Sequence, residues 1–139
     1  MGIDIIVLLI HLLVIAVIDY KQHIIPDQLI LSMVVFKLIC SLFLNTMSDL
    51  LISIGYALLI TIPLLLLTLW MEKKTGKMQL GGGDIKLAFG ISLYFSPLDT
   101  LLILFIGSVI QLMSLKYFKA TMLPLAPALF ISAIVVILL

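Results

Sequence analysis

Apolar and polar positions alternate along this chain in long blocks, not in short periods. Six almost wholly apolar segments can be drawn, at roughly 3–19, 28–44, 50–70, 84–96, 98–115 and 122–139. A helix needs about 20 apolar residues to cross the hydrocarbon core of a bilayer, with a range of about 17–25. All but the fourth segment fit that length. The fourth reads as a thin or tilted helix, or as one partly re-entrant and covered by protein or water. The pattern predicts an all-α integral membrane protein, a bundle of about six transmembrane helices, with residues 1–139 forming one membrane-embedded domain. The first segment has no basic residue before it and no small-residue cleavage site after it. It therefore reads as a retained transmembrane helix, not a signal peptide.

The lysines orient this bundle. There is no arginine. Lys21 follows the first segment, Lys73, Lys74 and Lys77 lie between the third and fourth, and Lys116 and Lys119 between the fifth and sixth. The alternate connections, around Asn45–Asp49 and Ser96–Asp99, carry no lysine. The basic connections are expected on the cytoplasmic side, which puts both termini outside. Trp70, Tyr20, Tyr94 and Tyr117 fall at segment ends, as interfacial aromatics do. Lys37 sits near the middle of the second segment, where charge is expensive. Snorkelling, pairing with an acidic group and a shifted boundary all fit it.

Composition agrees. The chain is 64% hydrophobic and 11% charged, against about half and about a quarter for a soluble domain. So small a sphere cannot hide that much apolar surface. A net charge of +1 gives no bulk argument for nucleic acid. The single cysteine, Cys40, excludes an internal disulfide and a multi-cysteine metal site. His11 and His23 lie apart, so no metal site and no cofactor is expected.

Two carboxylates stand out, because each lies at the edge of an apolar segment. Asp19 closes the first, in Ile18-Asp19-Tyr20-Lys21-Gln22-His23-Ile24-Ile25-Pro26, and Asp84 opens the fourth, in Leu80-Gly81-Gly82-Gly83-Asp84-Ile85-Lys86-Leu87. The lysine-based topology places both at the cytoplasmic interface, although they are distant in sequence. Two carboxyls brought together share a proton and titrate as a unit. One can then take a proton from water while the other polarises a carbonyl. Helix ends suggest Asp84, at an N-terminus, as the base and Asp19, at a C-terminus, as the protonated partner. Gly81, Gly82 and Gly83 permit positive φ and close backbone approach, so an extended substrate strand could pair with their amides. Pro26 stops the first helix and holds the Asp19 loop in shape. Lys86 fits three roles: steadying the pair's charge, holding a lipid phosphate, or anchoring topology. Asp27 reads as a cap for the second helix. Pro124 and Pro127 are expected to bend the sixth.

These segments resemble the type IV prepilin peptidases, membrane aspartyl proteases with a Gly-x-Gly-Asp motif. Gly81, Gly83 and Asp84 match the motif, Gly82 is its variable residue, and Ile85-Lys86-Leu87 resembles its continuation. Asp19 with Ile25-Pro26 is similar to the family's first catalytic segment, and Pro124-Leu125-Ala126-Pro127 to a later Pro-Phe-Gly-Pro. Gln79 and Leu80 depart from the glycine and methionine usual before the motif. The resemblance implies an endopeptidase of the cytoplasmic membrane with Asp19 and Asp84 as catalytic residues. Gly81, Gly82, Gly83, Pro26 and Lys86 would meet substrate, and water would be the nucleophile. Its substrates would be prepilin-like precursors with short basic leaders, as in type IV pilus and secretion systems. Its other partners would be membrane lipids, with Lys73, Lys74 and Lys77 facing anionic headgroups. The chain resembles the minimal form of the family, without the paired-cysteine region linked to N-methylation. A small proton-coupled transporter and a non-catalytic pilus-assembly protein are the alternatives from other classes.

Overall fold

Each of the six apolar segments is a helix. The computed structural model describes residues 2–44, 47–76, 81–118 and 124–139. The helices are α1 (Ile3–Gln22), α2 (Asp27–Leu44), α3 (Met47–Thr75), α4 (Gly82–Ser92), α5 (Pro97–Phe118) and α6 (Ala126–Leu138). No strand occurs among the described residues. Asn45, Lys77, Gln79, Leu80 and Lys119, used above for orientation and motif matching, lie outside the described residues.

Helix ends follow local chemistry that hydropathy does not see. α3 runs on through Glu72, Lys73 and Lys74, because polar residues continue a helix readily once it has left an apolar layer. The cation of Lys74 lies 5.2 Å from the ring centre of Trp70. α4 ends at Ser92, and Pro97 opens α5, where its missing N–H and fixed φ cost nothing. The Ser96 hydroxyl accepts the Asp99 amide at 3.3 Å, capping that start.

The packing puts the shortest helix in the middle. α1 packs on α2 and α6, α6 on α5, α5 on α3, and α3 on α2, closing a ring. α4 packs against α2, α3 and α5 within it. At 11 residues α4 rises about 16 Å, too little to cross a core of about 30 Å. Its Leu87, Ala88, Gly90 and Ile91 are buried among protein, not presented outward. A Cβ on Gly90 would overlap the Met33 methyl of α2, so glycine sets how closely these helices approach. The core continues through Leu8, Leu12 and Ile15 of α1, Ile103 of α5 and Leu129 of α6.

The outside is as apolar as the inside. Leu51, Leu59, Leu66, Leu98, Phe105, Leu112 and Met113 are all exposed. Patches this large on a soluble monomer mark an interface. α1, α3 and α5 are each long and apolar enough to cross a membrane, three such helices among the described residues.

Lys37 is paired. Its ammonium lies 3.4 Å from Asp4 Oδ2, in the first turn of α1, and 4.9 Å from the ring centre of Tyr94. The Tyr94 hydroxyl donates to the Met33 carbonyl at 2.7 Å. Tyr94 thus turns inward, unlike the exposed Tyr20, Trp70 and Tyr117. Breaking a buried pair strands the remaining charge, whereas replacing both partners avoids that cost. Lys37→Met is therefore expected to melt at a lower temperature in detergent. An Asp4→Asn/Lys37→Met double variant should recover part of the loss. A double variant less stable than Lys37→Met would contradict this account.

Candidate functional site

Asp19 faces inward because it continues a stripe. Leu8, Leu12, Ile15 and Asp19 recur every three or four residues on α1, the spacing of one helix face. The carboxylate is accordingly 5% exposed. One turn later His23 takes a left-handed conformation (φ 53°), and its N–H donates to the Asp19 carbonyl at 2.8 Å. This closes α1 and turns the chain into Ile24–Pro26. The Pro26 carbonyl accepts the Leu29 amide at 3.1 Å, starting α2 at once. The Asp19 segment is thus a short link between two helices, with Pro26 half-buried at its end.

Asp84 is delivered by the glycine run. Gly81 precedes α4, and the Asp84 N–H donates to its carbonyl at 3.0 Å. The expectation that these glycines supply positive φ is not met. Gly81 sits at φ −66°, and the positive-φ glycine among the described residues is Gly76. Close approach is the operative reason, at one position above all. A Cβ on Gly83 would lie 3.1 Å from Ile25 Cβ, so Gly83 is where α4 presses on the Asp19 loop. Gly82 faces open space and is exposed. A Cβ on Gly81 would come 3.3 Å from Asp84 Oδ2.

The Asp84 carboxyl senses Asp19. Burial pushes the Asp84 carboxyl above its ordinary value, the Asp19 charge pushes it further, and a hydrogen bond from the Gly81 backbone opposes both. Burial and the Asp19 charge thus oppose the negative charge that a helix N-terminus favours at Asp84.

Asp19 has a donor that the sequence did not reveal. The Ala126 amide, at the start of α6, donates to Asp19 Oδ2 at 3.0 Å in a buried setting. Pro127 does not bend this helix but opens it, sitting in its first turn. That Pro signature was the available clue to a helix start there.

Lys86 and Asp27 find each other. The Lys86 ammonium lies 2.7 and 2.8 Å from the two Asp27 carboxylate oxygens, so Lys86 is engaged on α2 instead of on Asp84. Both side chains are exposed. They stand at the mouth of a groove of about 640 Å³ between α2, α3 and α4, walled by Ile30, Leu31, Val34, Ile85 and Phe89. Asp84 is the immediate neighbour of Ile85 in that wall.

His11 holds to Val7 O at 2.8 Å and Ser32 Oγ at 3.0 Å within the bundle. Cys40 is buried. Among the described residues no group of three or more His, Cys, Asp or Glu side chains gathers to hold a metal ion. What the arrangement offers chemically is two carboxyls within electrostatic reach, where the start of α4 meets the link after α1, beside an apolar groove with a charged mouth.

A family model described as the type IV leader peptidase family matches residues 6–116, from α1 through most of α5, with both aspartates inside the matched stretch. No curated protein and no solved structure matches the chain. With its apolar helices and this match over most of its length, the chain is an integral membrane protein that belongs to the type IV leader peptidase family.

Proposed function

We propose that this protein is a membrane aspartic endopeptidase that removes the short basic leader from type IV prepilin-like precursors. The observation that carries this reading is the close approach of Gly83 to Ile25, which brings the α4 start bearing Asp84 against the Asp19 loop and within electrostatic reach of Asp19. Ionised Asp19 takes a proton from water as the water attacks the scissile carbonyl. Protonated Asp84 donates to the carbonyl oxygen, and the proton returned to the amine lets the leader go. The glycine run and the loop ending at Pro26 flank this pair and are the surface on which an extended substrate strand would lie. No cofactor enters the scheme, since two carboxyls and a water supply every group that hydrolysis requires.

The lysine-bearing connections support a site at the cytoplasmic face of the cytoplasmic membrane. In that orientation α4 enters the ring from the cytoplasmic side, shielded by its neighbours instead of facing lipid. A basic leader then stays in the cytoplasm while the apolar segment of the precursor remains in the bilayer.

Co-expression with candidate precursors tests this, scored by the size shift on leader removal. Processing is expected, and purified protein should continue to cleave in the presence of chelator. Activity lost to chelator and restored by zinc would overturn the two-carboxyl mechanism.

A further inference from the structure

Asp19 lies in an electrostatically poor place for a base. It occupies the last turn of α1, where unsatisfied carbonyls disfavour negative charge. It is 95% shielded from solvent, since only 5% of its surface is exposed. Burying a carboxylate without a hydrogen-bonding partner is costly. The compensation comes from the far end of the chain. The Ala126 N–H reaches Asp19 Oδ2 at 3.0 Å, and is the one hydrogen-bond donor to that carboxylate among the described residues.

We propose that the Ala126 backbone amide is a positioning group for the hydrolytic step, anchoring Asp19 through Oδ2 so that Oδ1 is presented to the attacking water. This rests on the reading of Asp19 as the base. It adds a component from residues 124–139, beyond the stretch 6–116 that the family model covers.

Three features build the donor. Pro127 has no N–H, so the amide that α6 offers at this point is that of Ala126, and its fixed φ preorganises the helix start. Ala126 is fully buried and belongs to the core cluster with Leu12, Ile15 and Ala16, so its methyl seats the end of α6 against α1. The N-terminus of α6 also brings the positive end of a helix dipole to a carboxylate.

Among the described residues no charged side chain donates to Asp19. α6 itself carries no titratable residue. α4 brings Asp84, which is acidic, and Lys86, which is held by Asp27 of α2. Lys37 of α2 is bound to Asp4, at the opposite end of α1. On α1 and its cap, Tyr20, Lys21 and His23 are exposed.

The most direct test removes the N–H and keeps the side chain. Ala126→lactic acid, introduced by nonsense suppression, replaces the amide with an ester of the same shape. Ala126→Gly keeps the N–H and loses the methyl. Hydrogen bonds to charged groups predict a fall in kcat of about 10- to 100-fold for the ester, with KM unchanged. A lost donor to the ionised form raises the base's titration, so the acid limb of the kcat/KM profile should move to higher pH. The glycine variant should keep the wild-type pH profile, whatever its melting temperature. A wild-type acid limb in the ester protein, or an equal shift in the glycine protein, overturns the proposal.

A second measurement needs no backbone change. In the native protein labelled with ¹⁵N-alanine, the Ala126 amide proton should move downfield with rising pH, at the same midpoint as the acid limb. A resonance that stays flat across that limb also overturns it. If the native protein cleaves no precursor at all, the functional reading fails first. An active native protein with an unaltered ester variant fails this inference alone.

Discussion

The Asp84→Asn protein is expected to be inactive and, at neutral pH, harder to melt than the native protein. Asparagine keeps the shape of the side chain and removes its titratable proton. Acid–base catalysis by one positioned group contributes about a hundred- to ten-thousand-fold, so cleavage should fall by at least that much. Asp19→Asn should fail equally. The stability gain follows from the direction of the Asp84 shift. Its folded carboxyl is raised above the ordinary 3.8, first by burial and then by Asp19. The folded protein therefore holds this proton more tightly than the unfolded chain does. Stability present below the unfolded value is lost as pH rises toward the folded value. Asparagine has no proton to lose and escapes that decline. Melting curves of the two proteins, recorded in the same detergent, should approach each other in acid and separate toward neutrality. An inactive variant that also melts lower at neutral pH would leave misfolding as the explanation for its inactivity.

Gly83→Val should abolish activity through geometry alone. The glycine already leaves only 3.1 Å between a built Cβ and Ile25 Cβ, tighter than ordinary van der Waals contact. Valine adds two methyl groups at that point. Ile25 cannot swing aside easily, because the residue before a proline is confined to extended conformations and Pro26 follows it. The N-terminus of α4 must then lift from the Asp19 loop, and the two carboxyls part. Misplacement by about 1 Å can cost about a hundredfold in rate. Gly82→Ala is the matching control, since nothing lies within 4 Å of its built Cβ. It should fold and melt like the native protein, with any loss of activity confined to KM through the substrate strand. A Gly83→Val protein with native activity would show that the Ile25 contact sets nothing.

Much of this was legible in the residues. The blocks of apolar sequence gave six helices, and the register of Leu8, Leu12 and Ile15 already aimed Asp19 at the core. What stayed hidden depends on partners distant along the chain. Lys37 pairs with Asp4, and Lys86 with Asp27, across different helices. No local spacing identifies such pairs. The helix-end assignment of base and acid left out the same kind of partner. Each aspartate was weighed against its own helix end, while burial, the other carboxylate and the Ala126 amide come from other elements. The glycine run was legible as a place of close approach. The position that matters emerged only once Ile25 was seen against Gly83.

The central position of α4 carries a consequence for how the protein is made. α1, α3 and α5 are each long and apolar enough to enter a bilayer on their own. α4 is not, and its stable place is the hollow formed by α2, α3 and α5. It must settle after those walls exist, as a folding event within the membrane instead of an insertion step. Asp84 rides on that helix, so the two carboxyls meet only when assembly is nearly complete. A half-assembled copy therefore lacks the juxtaposition of Asp19 and Asp84, which arrives together with the finished structure.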